Sequence, residues 1–159
     1  MKNKLLIVSI LGFLLLLIYI KFDYKYHEYI IDNIYENDIN YNYQDYVGYI
    51  EIKRLNIKRE IVLGINYENL KEHVAINDLD AKTVILAGHS VVNIFGNLHF
   101  AKLNDIIKIS LLKEVNYYQI VDISVVYKDN VDILEGCDLI LITCMTNNNK
   151  RLIIKANRI

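Results

Sequence analysis

The sequence predicts a mainly β domain, a barrel or a sandwich with a few short helices, carried behind one N-terminal transmembrane helix. Three observations point there. Residues 5–20 form an unbroken apolar run, and from Tyr46 onward the chain breaks into short alternating or β-branched runs separated by turn residues. The helical stretches between these runs are too few to supply alternating βαβ units.

The apolar run reads LLIVSILGFLLLLIYI, with Ser9 as its one ordinary polar side chain, Lys2 and Lys4 before it and Lys21 after it. As a helix rising about 1.5 Å per residue it covers roughly 24 Å of a hydrocarbon core of about 30 Å. Snorkelling lysines and the interfacial rings of Tyr19, Phe22 and Tyr24 supply the remainder. A cleaved signal peptide shares the basic start and apolar middle, but it ends in a small-residue cleavage site. Here KFDYKYHEY follows Ile20. The expectation is therefore an uncleaved anchor over residues 1–22. Lys2, Lys4 and the terminal amine would keep the N-terminus in the cytoplasm, making a single-pass protein of the cell membrane with its domain outside. A soluble helix would need a polar face that this run lacks.

Residues 23–45, DYKYHEYIIDNIYENDINYNYQD, are polar and dense in Tyr, Asn and Asp, as a linker would be. The domain then begins near Tyr46 and continues to residue 159, about 114 residues, enough for one modest core. Its expected strands are Tyr46–Lys53, which alternates, Ile57–Leu63, Thr83–Ala87, Asp105–Leu111, Tyr117–Tyr127, Asp138–Cys144 and Arg151–Asn157. Glu68–Val74 reads as a short helix, and no internal repeat is present.

Residues 26–159 hold 14 basic and 18 acidic residues, a net charge of −4, with no basic stripe. Nucleic-acid binding, which rests on phosphate neutralisation, does not fit. His27, His73, His89 and His99 are scattered and none pairs with a cysteine at zinc-ligand spacing, so no metal or other cofactor is expected.

The two cysteines carry the chemistry. Cys137 and Cys144 are seven residues apart, up to roughly 23 Å on extended chain. A disulfide needs Cα atoms within about 7 Å, so a bridge would require the chain to fold back near Gly136. Cys137 follows Gly136 in a turn-like stretch. Cys144 ends an apolar strand where polar loop residues begin, which places a thiol at the rim of the domain. By position alone the stronger reading is a small buried hydrophobe, the usual state of a free cysteine. Its neighbours add to the picture. After MTNNNK, Arg151 opens the next strand, and a hairpin of that length puts Cys144 and Arg151 almost opposite each other. A guanidinium there favours the thiolate and can donate to a developing oxyanion, although a lone arginine is more often a solvated charge. Proton transfer needs a further group. His89 is the candidate, because it too ends an apolar strand, behind Gly88. His73 and His99 lie in polar or helix-like stretches and are expected at the surface. Ser90 adjoins His89, but strand neighbours point to opposite faces, which argues against a Ser90–His89 pair.

These residues resemble a known family. The segment TVILAGHSVVNIFGNLHFAKLNDIIKI is similar to the sortase region that carries a histidine in a Gly-His context, then an F-G-x-L stretch and a strand opening in the style of G-D-x-I. LILITCMTNNNKRLIIKAN resembles the sortase block T-L-x-T-C followed by Arg and a strand, and GYIEIKRLNIKREIVLGI looks like the first two strands of that barrel. The likeness covers residues 46–159. Four positions depart from the pattern: Ile140 replaces a Thr, Lys53-Arg54 stand where a proline is common, Asn104 replaces the Gly before Asp105, and the gap between Cys144 and Arg151 is short.

The resemblance implies a closed β-barrel of about eight strands and a cysteine transpeptidase. Cys144 would be the nucleophile, His89 the acid and base, and Arg151 the holder of the substrate carbonyl or oxyanion. The implied partners are surface proteins with a C-terminal sorting signal of the Leu-Pro-x-Thr-Gly kind, and an amine acceptor such as a lipid-linked peptidoglycan precursor. Pilus-polymerising members often carry an N-terminal lid with an Asp-Pro-aromatic motif and a second, C-terminal anchor. Neither is found in this sequence, so wall anchoring is expected. Calcium occurs in some relatives, but no carboxylate cluster here argues for it. A hydrolysing cysteine peptidase and a non-catalytic binding barrel are the alternatives.

Overall fold

A computed structural model of the protein describes residues 9–23, 25–26, 46–112, 114–130, 136–145 and 149–159. The chain divides into two units, Met1–Ile39 and Asn40–Ile159. In the first, residues 9–23 are helical with largely exposed apolar side chains. Among the described residues no helix is long and apolar enough to cross a membrane. Residues 1–8 of the expected anchor, and Tyr24 and residues 27–45 of the expected linker, lie outside the described residues.

The second unit is a closed barrel. Its described strands are β1 (Tyr46–Ile52), β2 (Ile57–Leu63), β3 (Val74–Ile76), β4 (Val84–Gly88), β5 (Ile106–Leu111), β6 (Glu114–Tyr127), β7 (Leu139–Cys144) and β8 (Lys150–Arg158). They close in the order β1-β2-β3-β4-β7-β8-β6-β5. All neighbours are antiparallel except β2/β3 and β4/β7, so β1, β4, β6 and β7 run one way and the other four run back. Seven of the eight follow the sequence expectation to within a few residues. β3 is the exception. The expected helix over Glu68–Val74 occurs as α1 (Tyr67–Glu72), and Val74 opens a fully buried three-residue strand instead. A run of three is too short to display a period of two. The helix itself is set by local chemistry, with the Asn66 side chain accepting from the Asn69 backbone N–H at 2.9 Å.

Alternation sorts the strands into two faces. Ile50, Ile61, Leu86, Ile109, Tyr118, Leu139, Leu141, Leu152 and Ile154 are among the residues that fill the interior. Each such side chain contributes about 1.5–3 kcal/mol by leaving water.

Residues 89–105 connect β4 to β5, which are not neighbours in the barrel, so this segment crosses the barrel end where β4 finishes. It plugs that end with Ile94, Phe95 and Leu98, all buried, and makes a 3₁₀ turn over Gly96–Phe100. Asn97 donates to the Leu55 carbonyl at 3.0 Å, and Arg54 donates to the Phe100 carbonyl and to both carboxylate oxygens of Asp105 at 2.5 Å. Asn104 adopts φ 70° in this segment. That left-handed backbone suits glycine best and asparagine next, so Asn104 can stand where the family pattern has Gly.

Candidate active site

Strand register assembles the site. Across the β7/β8 hairpin, Cys144 is the direct partner of Arg151, as the hairpin spacing predicts. The hairpin is narrower than expected. Lys150 already belongs to β8, and the Met145 N–H donates to its carbonyl at 3.1 Å. Residues 146–148 lie outside the described residues. On the other side of β7, the parallel strand β4 is in register with it through Gly88↔Thr143. His89 and Cys144 are the next residues on each chain. Two co-directional neighbours therefore finish together, with Arg151 at the start of the strand that returns beside them.

The same register tells which face these residues occupy. Leu86, Leu139, Leu141, Leu152 and Ile154 belong to the core. The alternate set, Ile85 and Ala87 on β4, Ile140, Ile142 and Cys144 on β7, Arg151 and Ile153 on β8, faces outward. Ile140 and Ile153 are buried there, and the apolar strip they form leads to the thiol. Cys144, His89 and Arg151 are each half-buried. The Arg151 Nη1 donates to the Lys150 carbonyl at 3.1 Å, which ties the guanidinium back to its own strand.

Two residues hold the ends of β4 and β7 in place. Thr143, buried and facing inward, donates its hydroxyl to the Gly88 carbonyl at 2.8 Å. This bond joins the two strands one residue before His89 and Cys144. Gly88 is required by packing, since a Cβ there would lie 2.8 Å from the Phe95 ring and 2.9 Å from Ile94 Cγ2. Sequence reading took Thr143 as an ordinary strand residue, although period-two alternation already puts its hydroxyl inside.

The other candidates fall elsewhere. His99 is exposed, as expected. His73 is half-buried rather than on the surface, because it links α1 to buried β3. Its ring stands edge-on to Tyr46 at 5.3 Å, with Nε2 3.4 Å from the Tyr46 hydroxyl. Cys137 and Cys144 are both free thiols. Cys137 lies before β7, at the barrel end away from Cys144, and burial pushes its thiol above the ordinary value. A cavity of about 320 Å³ opens at that same far end, lined by Val84, Leu111, Glu114, Tyr118, Asp138 and Arg158 among others. Among the described residues no group of three or more His, Cys, Asp or Glu side chains is placed to hold a metal ion.

Comparison with known proteins identifies the family and the fold. A family model described as the sortase domain matches residues 50–159. No curated protein matches by sequence. Among solved structures, sortase A from Corynebacterium diphtheriae is 25% identical with a TM-score of 0.67, aligned over 73% of this chain and 61% of that one. Sortase C1 from Streptococcus agalactiae is 27% identical with a TM-score of 0.68, over 79% and 73%. Sortase C from Clostridium perfringens is 25% identical with a TM-score of 0.65, over 86% and 85%. The chain thus spans only about three fifths of the length of the first of these, and its structural neighbours include both A and C classes.

Proposed function

This chain belongs to the sortase family, and from that premise we propose that it is a cysteine transpeptidase with Cys144, His89 and Arg151 as its reacting set. The observation that carries the reading is the register: Cys144 faces Arg151 across one strand pair and ends beside the β4 terminus that leads into His89.

The Cys144 thiolate attacks the scissile carbonyl of a sorting signal of the Leu-Pro-x-Thr-Gly kind. Arg151 donates to the oxygen as it gains charge. When the tetrahedral species collapses, the C–N bond breaks and His89 gives its proton to the departing amine. The thioester that remains keeps the acyl group activated. An acceptor amine then attacks it, His89 takes the amine's proton, and the Cys144 thiolate leaves. The outward, half-buried side chains of Ile85 on β4 and Ile142 on β7 support recognition of an apolar signal beside the thiol. The natural donors in this reading are surface proteins with a C-terminal signal, and the acceptor is an amine of a lipid-linked wall precursor.

Residues 5–20, flanked by lysines, are proposed to anchor the domain outside the cell next to both substrates. Protease added to intact cells should then degrade the domain and spare cytoplasmic proteins. A domain protected until lysis overturns this topology.

The function is tested by incubating the full-length protein in detergent with a labelled Leu-Pro-x-Thr-Gly peptide and a small amine. The expected product is the peptide joined to the amine. Release of the peptide with no transfer to any amine would favour a peptidase, and a Cys144 that reacts with neither peptide nor alkylating agent would favour a binding barrel.

A further inference from the structure

Arg59 has no part in the reacting set, yet it occupies an unusual place. On β2 it lies on the inward face between Ile57 and Ile61, opposite Ile50, and it is only 5% exposed. A guanidinium among core isoleucines costs several kcal/mol unless its donors are used. Arg59 Nε donates to the Asn93 carbonyl, and its Nη1 donates to the Lys58 carbonyl at 2.8 Å.

Asn93 sits four residues past His89, in a segment bonded to itself. The Phe95 N–H donates to the His89 carbonyl at 3.0 Å, the Ile94 N–H to the Val91 carbonyl at 3.0 Å, and the Gly96 N–H to that same carbonyl at 2.7 Å. These bonds tie residues 89–96 to one another, so a hold at Asn93 is passed on to His89. Arg54 and Asn97 pin the later part of the crossing, from residue 97 to Asp105. Arg59 reaches the part that bears the imidazole.

We propose that Arg59 is a positioning residue for His89, fixing through the Asn93 carbonyl the segment that presents the imidazole to Cys144. The inference rests on the transpeptidase reading for its kinetic consequence. Proton transfer needs hydrogen-bond reach, and a displacement of about 1 Å can cost about 100-fold in rate. The outward strip that would bind peptide is on other strands, so loss of Arg59 should lower kcat and leave KM nearly unchanged.

The experiment compares full-length wild type in detergent with Arg59→Met, Arg59→Lys and, as a control on the far part of the crossing, Arg54→Met. Transfer kinetics are measured beside the NMR resonance of the His89 imidazole. For Arg59→Met, kcat should fall at least about tenfold with KM within about twofold, and the His89 resonance should broaden or split while that of exposed His99 stays unchanged. Arg59→Lys, which keeps one charged donor, should recover part of kcat and of the single His89 resonance. If Arg59→Met does not fold, a lowered kcat at unchanged KM in Arg59→Lys carries the same expectation. Arg54→Met should keep kcat within about twofold. Wild-type kcat and an unaltered His89 signal in both Arg59 variants overturn the proposal, as do equal kcat losses in Arg59→Met and Arg54→Met. If wild type itself transfers no peptide, the transpeptidase reading fails, and the His89 resonance in the Arg59 variants alone decides whether Arg59 positions it.

Discussion

Cys137 and Cys144 bracket strand β7, and both are free and half-buried. Exposure does not tell them apart; their neighbours do. Cys137 sits where β4 begins and β8 ends. Thr83 donates its hydroxyl to the Cys137 carbonyl at 2.8 Å, and burial pushes the thiol up, away from thiolate. Cys144 sits where β4 ends and β8 begins, opposite Arg151 and one register step past the Thr143–Gly88 bond. The same side chain at two ends of one strand thus meets a half-buried turn at one and, at the other, Arg151 across the hairpin with the β4 terminus that leads into His89 alongside. Because β4 and β7 run parallel, their carboxyl ends finish together and bring His89 and Cys144, from distant parts of the chain, to one end of the barrel.

The largest test of this contrast is substitution at both ends. Cys144→Ala should lower peptide transfer by at least about 1000-fold, the scale seen when a nucleophile is removed. Cys137→Ala should stay within about twofold, as for substitutions away from special features. Equal loss in both variants would break the comparison. His89→Ala should come close to Cys144→Ala, because both the acid and the base step go. Arg151→Lys should cost about 100-fold, since an ammonium does not reproduce the planar two-donor fork.

Next in size is Gly88→Ala, which sharpens the role of the β4 terminus. Its methyl group would meet Phe95 and Ile94, so either the ring or the segment bearing His89 must shift. A loss of about 1–3 kcal/mol in a denaturant titration is expected, as for overpacked cores, together with reduced transfer. A variant as stable and active as wild type would show that this terminus tolerates movement.

Alkylation at pH 7 followed by mass spectrometry compares the thiols without any substrate. Iodoacetamide should modify Cys144 at least about tenfold faster than Cys137, whose thiol is held away from the reactive thiolate by burial. Faster labelling at Cys137 would reverse the assignment.

The smallest effect concerns the crossing over the barrel end that carries Cys144. The hydrogen-bonded Arg54 guanidinium holds the Asp105 carboxyl below its ordinary range. A depressed folded value means the pair's contribution is fully present above the unfolded value of about 3.9, and is lost as pH falls through the lower folded one. The stability advantage of wild type over Asp105→Asn should therefore be constant near neutral pH and shrink below about pH 4. It should also be modest, because water screens an exposed pair. An advantage that grows with acidification would contradict the pairing.

Much of this was legible in the residues. Period-two alternation and β-branched runs located seven strands, the turn length between Cys144 and Arg151 implied their opposition, and strand-ending positions singled out His89. Those signals are local, each contained within about ten residues. The short buried β3 carried no period, and Arg59 looked like any charged strand residue although the Ile57–Arg59–Ile61 alternation already turned it inward. What only the tertiary structure decided is non-local. The parallel β4/β7 register brings Gly88 beside Thr143, a pairing across 55 residues that no spacing announces. The crossing of residues 89–105 over the barrel end, and its hold by Arg59, Asn97 and Arg54, likewise exist only once the barrel closes. A sequence writes its local dihedral and burial preferences into consecutive residues, whereas the pairing of distant strands is fixed by the shared core that they can bury only together.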